Sequence, residues 1–370
     1  MKLDDYLVAP GEIARRKGPH DRIVMSSRVR LARNIRDGAF PGWAKKPERV
    51  RILETILPAV EALPELKGAF SESMDNLSTL DRQILVERHL ISREHQARSA
   101  GSGVVLNRDE TLSIMINEED HLRMQALRPG LQLRQAWTAI DELDSHLEKQ
   151  LTYAFDSNLG YLTACPTNLG TGIRVSAMLH LPGLVLAEQI NAIIQSVNKL
   201  GLAVRGLYGE GTEALGNVFQ VSNQMTLGES EATILERMEK VLAQIIEHEE
   251  NARGTLVEKK AKMVYNHIGR AYGILANAHS ISSKETMNLL SLMRLGVDLS
   301  LFPDAERALV DELFLLTQPA HLQKQHSDKL SAEERDLLRA DMLRERLAKV
   351  ARPTVRSKGT NGGGLDKADK

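Results

Sequence analysis

About residue 229 this chain changes character: before it, short β-branched or alternating runs mix with helical stretches, and after it, to about residue 350, the pattern is almost entirely helical. One core does not serve both patterns. A length of 370 residues already exceeds what a single hydrophobic core usually organises, and the 42% apolar content can fill two. The expected organisation is an N-terminal extension over 1–21, an α+β domain over 22–256, an all-α bundle domain over 257–352 and a disordered tail over 353–370, where Gly, Lys, Asp and Thr dominate without apolar periodicity.

In the first part, the runs IVMSSRVRLA, GVVLNRDETLSIMIN, LGYLTA, GIRVSAMLHL, AVRGLYG and GNVFQVSN read as strands punctuated by Gly, Asn and Asp. Val104 to Asn117 reads as a hairpin turning at Asn107–Glu110. Helical spacing at Pro47–Leu63, Leu131–Leu151 and Leu184–Leu200 places helices on one side of a largely antiparallel sheet. In the second part, amphipathic segments break at His279–Ser282, Phe302–Asp304 and Gln318–Pro319. The apolar segments Thr286–Leu301 and Ala308–Leu316 suit either a homodimer surface or an intrachain core.

Charge narrows the function. Lys plus Arg (48) and Asp plus Glu (49) nearly cancel, which argues against a general nucleic-acid binder, since such proteins displace counterions with excess positive charge. Any anion site must be local. The first residues lack a signal-peptide layout and no stretch is apolar enough to span a bilayer, so a cytoplasmic protein is expected. The single cysteine, Cys165, excludes an internal disulfide or a thiolate metal cluster. Neither a P-loop nor GxGxxG nor metal-spaced His/Cys is present, so a nucleotide would have to be held by arginine.

Four segments carry the chemistry. In Ser26-Ser27-Arg28-Val29-Arg30, the two arginines alternate and share a strand face about 7 Å apart, although an exposed basic strand has the same pattern. Glu118-Glu119-Asp120 follow an apolar strand directly, a crowding that suits a bound guanidinium or Mg²⁺ water, and equally an acidic helix N-terminus. Cys165 opens a polar Gly-containing loop that leads to Arg174, which would lower the thiol pKa if it lay nearby; a buried Cys at a turn is the alternative. Arg205 to Asn217 is glycine-spaced with acids Glu210 and Glu213, either a mobile lid or a plain hairpin loop.

Together the strings SSRVRLARN, LVERHLIS, NEEDHLRMQ, CPTNLGTGIR, RGLYGEGTEA and VSNQMTLG, in this order from Ser26 to Gly228, closely resemble the catalytic domain of the phosphagen (ATP:guanido) kinases. The resemblance implies that family's fold, an antiparallel sheet flanked by helices, and its reaction, phosphorylation of a guanidinium by ATP with Mg²⁺. It implies that Arg28, Arg30, Arg123, Arg174 and Arg205 grip the phosphates and that His89 contacts nucleotide. Around them, Ser26, Ser27, Val29, Val175, Ser176, Ala177, Met178, Gly206, Leu207, Tyr208, Gly209 and Glu210 fall in the same nucleotide-binding segments. Glu119 and Glu213 match the two carboxylates that pinch the substrate, Cys165 the active-site cysteine, and Glu118 with Asp120 and Glu210 read as supporting acids; no protein side chain is expected to bind metal directly. The chemistry agrees: a guanidinium with a pKa above about 12 is a poor nucleophile until a carboxylate orients it and accepts its proton.

Small-molecule phosphagen kinases carry a helical domain ahead of this region, whereas here 25 residues precede Ser26 and a helical region follows instead. That layout resembles the bacterial protein-arginine kinases of the McsB type. Arg335-Asp336-Leu337-Leu338-Arg339-Ala340 fits their RDxxRA phosphoarginine-binding motif, with Arg335 and Arg339 on one helix face by i,i+4 spacing. A charged amphipathic helix would look alike. The resemblance further implies protein substrates including a heat-shock repressor, hand-over to Clp protease machinery, an activator protein of the McsA type and a homodimer. A free-arginine kinase and a non-catalytic phosphoarginine-binding adaptor remain the alternatives.

Overall fold

The computed structural model describes residues 17–206 and 214–354 together with Leu3 and Tyr6. Among the described residues the chain runs through β1 (Val24–Arg33), α1 (Lys46–Glu61), β2 (Phe70–Ser73), α2 (Thr79–Glu87), α3 (Arg93–Gln96), β3 (Gly103–Leu106), β4 (Leu112–Ile116) and β5 (Leu122–Pro129). It continues through α4 (Leu133–Glu148), the small ladder β6 (Phe155–Asp156) and β7 (Gly160–Tyr161), β8 (Ile173–His180), α5 (Pro182–Leu186), α6 (Ile190–Lys199), β9 (Leu202–Gly206) and β10 (Val218–Asn223). The described residues that follow form helices: α7 (Glu231–Lys259), α8 (Ala261–Asn277), α9 (Ser283–Asp298), α10 (Arg307–Leu316), α11 (Pro319–Lys324) and α12 (Ala332–Leu347).

Eight strands form one sheet in the order β2-β3-β4-β5-β1-β8-β10-β9, and every neighbouring pair is antiparallel. The fold is α+β, with the hairpin β3–β4 turning where the polar residues 107–110 stand. Alternation in the strands decides the layers. Val29 and Leu31 of β1, Val175 and Ala177 of β8 and Val221 of β10 point into a core completed by Ile52 and Ile56 of α1, Ile140 and Leu143 of α4, Ile194 of α6, and Met238 and Leu242 of α7. Each of these Val, Leu, Ile and Met side chains contributes about 1.5–3 kcal/mol by leaving water.

The opposite face divides in two. Over β2–β4 it is covered by Met74, Leu85, Leu90 and Ile91 packed on Phe70, Val104, Leu106 and Met115, which is why every residue of β3 and β4 is buried. Over β5, β1, β8, β10 and β9 it carries polar side chains instead. The functional face is therefore the half of the sheet that lacks a second apolar layer.

Helical spacing places one helix across Leu184–Leu200, but the structure breaks it into α5 and α6 at Glu188, which takes φ 60. The last strand ends at Asn223, and no break falls near 256: α7 is one helix of 29 residues whose apolar side chains from Ile234 to Ala252 belong to the first core and whose Leu256 belongs to the second. That second core joins Val264 and Ile268 of α8, Met287, Leu290 and Met293 of α9, Val310 and Leu313 of α10, and Leu343 and Leu347 of α12. The apolar positions of Thr286–Leu301 and Ala308–Leu316 are thus engaged inside this chain, and of the two readings the intrachain core accounts for them.

A buried polar network ties the bundle to the sheet. Arg294, 1% exposed, donates to Asp311 at 2.7 Å and to the carbonyls of Arg22 and Asp21 at 2.8 and 3.0 Å. Its Nη1 lies 3.1 Å from Nδ1 of His180, and His180 Nε2 lies 2.8 Å from Ser291 Oγ. Arg253 bridges Glu249 and Asp298, and Glu249 accepts the Gly183 and Leu184 N–H groups.

Burial, and then the charges of Arg294, Arg253 and Arg307, hold His180 well below the ordinary imidazole pKa, so it is neutral in the folded state. Unfolding frees it to titrate near pH 6.5. The stability that neutral His180 contributes is therefore complete above about pH 6.5 and is lost as the pH falls below it. Calorimetry from pH 7.5 to pH 5 is expected to show a falling melting temperature, with a shallower fall in His180→Gln; equal slopes in both proteins would remove His180 as the cause.

Candidate active site

Sheet register sets the site. Arg30 stands opposite Gln125 of β5 and Arg174 of β8. Arg28 stands opposite Ser176, which in turn pairs with Ser222 of β10. Arg123 pairs with Ala32, and Arg205 pairs with Gln220, whose side chain accepts a 2.8 Å hydrogen bond from Arg28. Directly opposed residues share a face, so all five arginines rise from the bare half of the sheet. Arg174 also reaches the Ser222 hydroxyl at 3.4 Å. Gln220, Ser222 and Gln125 were not singled out from sequence, although Gln220 and Ser222 alternate with buried Phe219 and Val221 in a readable strand pattern.

Crowding shows in the electrostatics. Burial, then Arg123 and Arg174, lower the Arg28 guanidinium from its ordinary value to about 10. Arg30 is held well below its ordinary value by burial and by Arg28, Arg123 and Arg174, and its buried Nε has no partner among the described residues. Arg174 is lowered by burial and by Arg205 and Arg123. Like charges this close are stable only against a polyanion or at a cost in stability. Between them opens a cavity of ≈ 350 Å³ bordered by Arg28, Arg30, His89, Ser92, Arg93 and Arg205. His89 enters it from a left-handed turn, φ 59, with its carbonyl held by Gln125 Nε2 at 2.8 Å. Burial and Arg28 push its imidazole down to about 4, so it is neutral there.

Three adjacent acids at the rim take three different environments. Glu118 is fully buried; burial alone would raise its carboxyl, but Arg123, the Ser92 hydroxyl and the Glu119 N–H hold it below the usual carboxylate range. Arg123 donates to both its oxygens at 2.8 and 2.7 Å. Asp120 accepts the Asn34 side-chain amide and the Ala164 N–H, each at 2.7 Å. Glu119 is half-buried and takes no side-chain partner among the described residues, while burial, Asp120 and Glu118 raise its proton affinity. The acids do not open a helix, since the turn leads into β5 through Asn117 at φ 57.

Asp120 fixes the next element as well, because Ala164 precedes Cys165. The half-buried thiol lies 3.1 Å from the Thr167 hydroxyl, and Cys165 acts on Arg174 electrostatically. Gly172, φ 67, lets this loop meet β1, since a Cβ there would come within 2.6 Å of the Ala32 carbonyl.

Some expected residues are placed otherwise. Ser27, Val29, Val175 and Ala177 lie on the helix-covered face, with Ser27 bonded to the Gly130 carbonyl at 2.7 Å, so alternation removes their side chains from the nucleotide face. Ser26 and Met178 pair on the arginine side, and Gly206 borders the cavity. Leu207, Tyr208, Gly209, Glu210 and Glu213, and the tail beyond 354, lie outside the described residues.

Arg335 and Arg339, expected to clamp one phosphoryl group together, have different surroundings. Arg339 is 1% exposed and donates to the carbonyls of Thr317 and Ile281 at 2.8 and 2.9 Å and to Asp336, while Ala340 is packed in the bundle core. Arg335 instead borders a cavity of ≈ 950 Å³ together with Glu87, Arg93, His326 and Lys329. Helical spacing puts both arginines on one face; burial turns Arg339 into the bundle, while Arg335 donates to the Leu330 carbonyl at 2.7 Å at the cavity's edge.

Residues 52–252 match the family profile of the ATP:guanido phosphotransferase C-terminal catalytic domain, and residues 261–358 that of the protein-arginine kinase McsB C-terminal domain. The chain is 46% identical over 331 residues to the protein-arginine kinase of Halothermothrix orenii, covering 90% of this chain and 95% of that one. It is 48% identical over 339 residues to that of a Geobacillus species, covering 90% and 92%. Among solved structures, lombricine kinase superposes with a TM-score of 0.55 at 25% identity, covering 67% of this chain and 70% of that one. The duplicated taurocyamine kinase from Schistosoma mansoni with transition-state analogue components superposes with a TM-score of 0.57 at 28% identity, covering 64% of this chain and 34% of the duplicated one.

Proposed function

Since the chain belongs to the ATP:guanido phosphotransferase family, and within it to the protein-arginine kinases, we propose that it moves the terminal phosphoryl group of MgATP onto arginine guanidinium groups of other proteins. The observation that carries this reading is the bare half-sheet: five arginines converging on one face, with an acidic turn at its rim. Magnesium enters as part of the nucleotide substrate.

Arg28, Arg30, Arg123, Arg174 and Arg205 align the triphosphate and stabilise charge on the transferring group, which is most of what phosphoryl transfer asks of a protein. A guanidinium nitrogen forms the N–P bond as the bond from phosphorus to the β,γ-bridging oxygen breaks, and ADP leaves with that electron pair. The proton lost from nitrogen passes to Glu119, whose raised proton affinity suits it as acceptor. Glu118 positions Arg123. By family resemblance Glu213 grips the other side of the guanidinium and Cys165 lies beside it.

An arginine inside a folded or unfolded chain needs a rim that its backbone can approach, and Glu119 stands on an open turn. The test is MgATP with an unfolded model protein and with free arginine, read by site-localised mass spectrometry under non-acidic conditions. Label on protein arginines is expected; label on free arginine alone, or on neither, rejects the reading.

The regulatory half of the proposal puts phosphoarginine in the C-terminal cavity, which Arg335 and Lys329 border with positive charge. By the same resemblance, the marked proteins, a heat-shock repressor among them, pass to Clp protease in the cytoplasm, with a homodimeric kinase and an activator of the McsA type.

A further inference from the structure

Two cavities in this chain share a wall. Val86 and Arg93 border both the nucleotide cavity and the C-terminal cavity. Helix α2, which leads into that wall, is gripped at both ends by α11. Lys324 Nζ donates to Asp81 at 2.9 Å, and the Glu87 carboxylate accepts the N–H groups of Ala320 and His321 at 2.8 and 3.2 Å and lies 2.7 Å from His321 Nδ1. Those two N–H groups open α11 and have no partner inside the helix, so Glu87 completes its first turn.

On the other side of the wall the chain enters the active site at once. His89 reaches the nucleotide cavity, and the Ser92 hydroxyl donates to Glu118, the carboxylate that holds Arg123. Arg93 is exposed between the two spaces. Arg93 thus offers an anion in the C-terminal cavity a contact on the wall that the two cavities share.

We infer that segment 86–93 is the coupling element through which a phosphorylated guanidinium in the C-terminal cavity tightens the nucleotide cavity, with Arg93 as the shared contact and the grip of α11 on α2 as the mechanical link. This rests on the proposed regulatory reading. The ligand draws Arg93 and fixes 86–93 against α11, which holds His89 and Ser92 where nucleotide meets them.

The experiment measures KM for ATP with and without saturating phosphoarginine, with orthophosphate as a charge control, in the full-length protein, in Arg93→Gln and in Lys324→Met, whose side chain borders neither cavity. Calorimetric titration of phosphoarginine runs in parallel. Phosphoarginine is expected to lower KM about fivefold or more in the unaltered protein, with the ratio near one in Arg93→Gln and reduced in Lys324→Met. An unaltered ratio in Arg93→Gln overturns the inference alone. Absence of phosphoarginine binding to the unaltered protein removes the regulatory reading and the inference with it.

Discussion

Arg30→Met is expected to raise the melting temperature of the nucleotide-free protein by several degrees while lowering phosphotransfer about 10³-fold. Both effects come from one cause. Arg30 is buried among Arg28, Arg123 and Arg174, and among the described residues Glu118 offsets them. At about 7 Å along the strand and an effective dielectric near 20, the repulsion between Arg28 and Arg30 is worth about 2 kcal/mol. Methionine keeps the stem and removes the charge, so the repulsion from its like-charged neighbours is relieved. The same charge is what the triphosphate meets, so activity and nucleotide affinity fall together. Thermal melts without nucleotide, set beside steady-state kinetics, decide it: a variant that melts lower than the parent would show that the face is not under internal repulsion.

Glu119→Gln is expected to separate the two substrates. Glutamine preserves the shape of the turn, yet it neither carries charge to orient a guanidinium nor accepts its proton, so kcat falls by about 10³. Nucleotide binding should stay within about twofold, because Glu118 rather than Glu119 holds the phosphate-binding Arg123. Single-turnover transfer and direct ATP titration measure the two separately. A matching loss of ATP affinity would place Glu119 on the nucleotide instead.

Strand and bundle regions were legible because alternation and helical spacing are local properties, and β1 shows it: Val29 and Leu31 face the core while Arg28 and Arg30 face away. Which face of the sheet stays bare was not legible, since that depends on Leu85, Leu90 and Ile91 covering β2–β4 and stopping there. The three acids looked equivalent in sequence. Their distinct roles come from distant groups, Ser92 and Arg123 for Glu118, Asn34 and Ala164 for Asp120. Arg335 and Arg339 share a helical face in sequence, and tertiary burial by Thr317 and Ile281 separates them.

Helix α7 has a consequence beyond packing. A flexible tether would let the bundle drift and leave its cavity in variable register with the sheet. One helix of 29 residues, rooted in both cores, behaves as a rigid beam instead, with no exposed slack between the halves for a protease to cut or for thermal motion to use. The two halves are thereby joined through a shared element, in an enzyme whose proposed task is to mark other proteins for destruction.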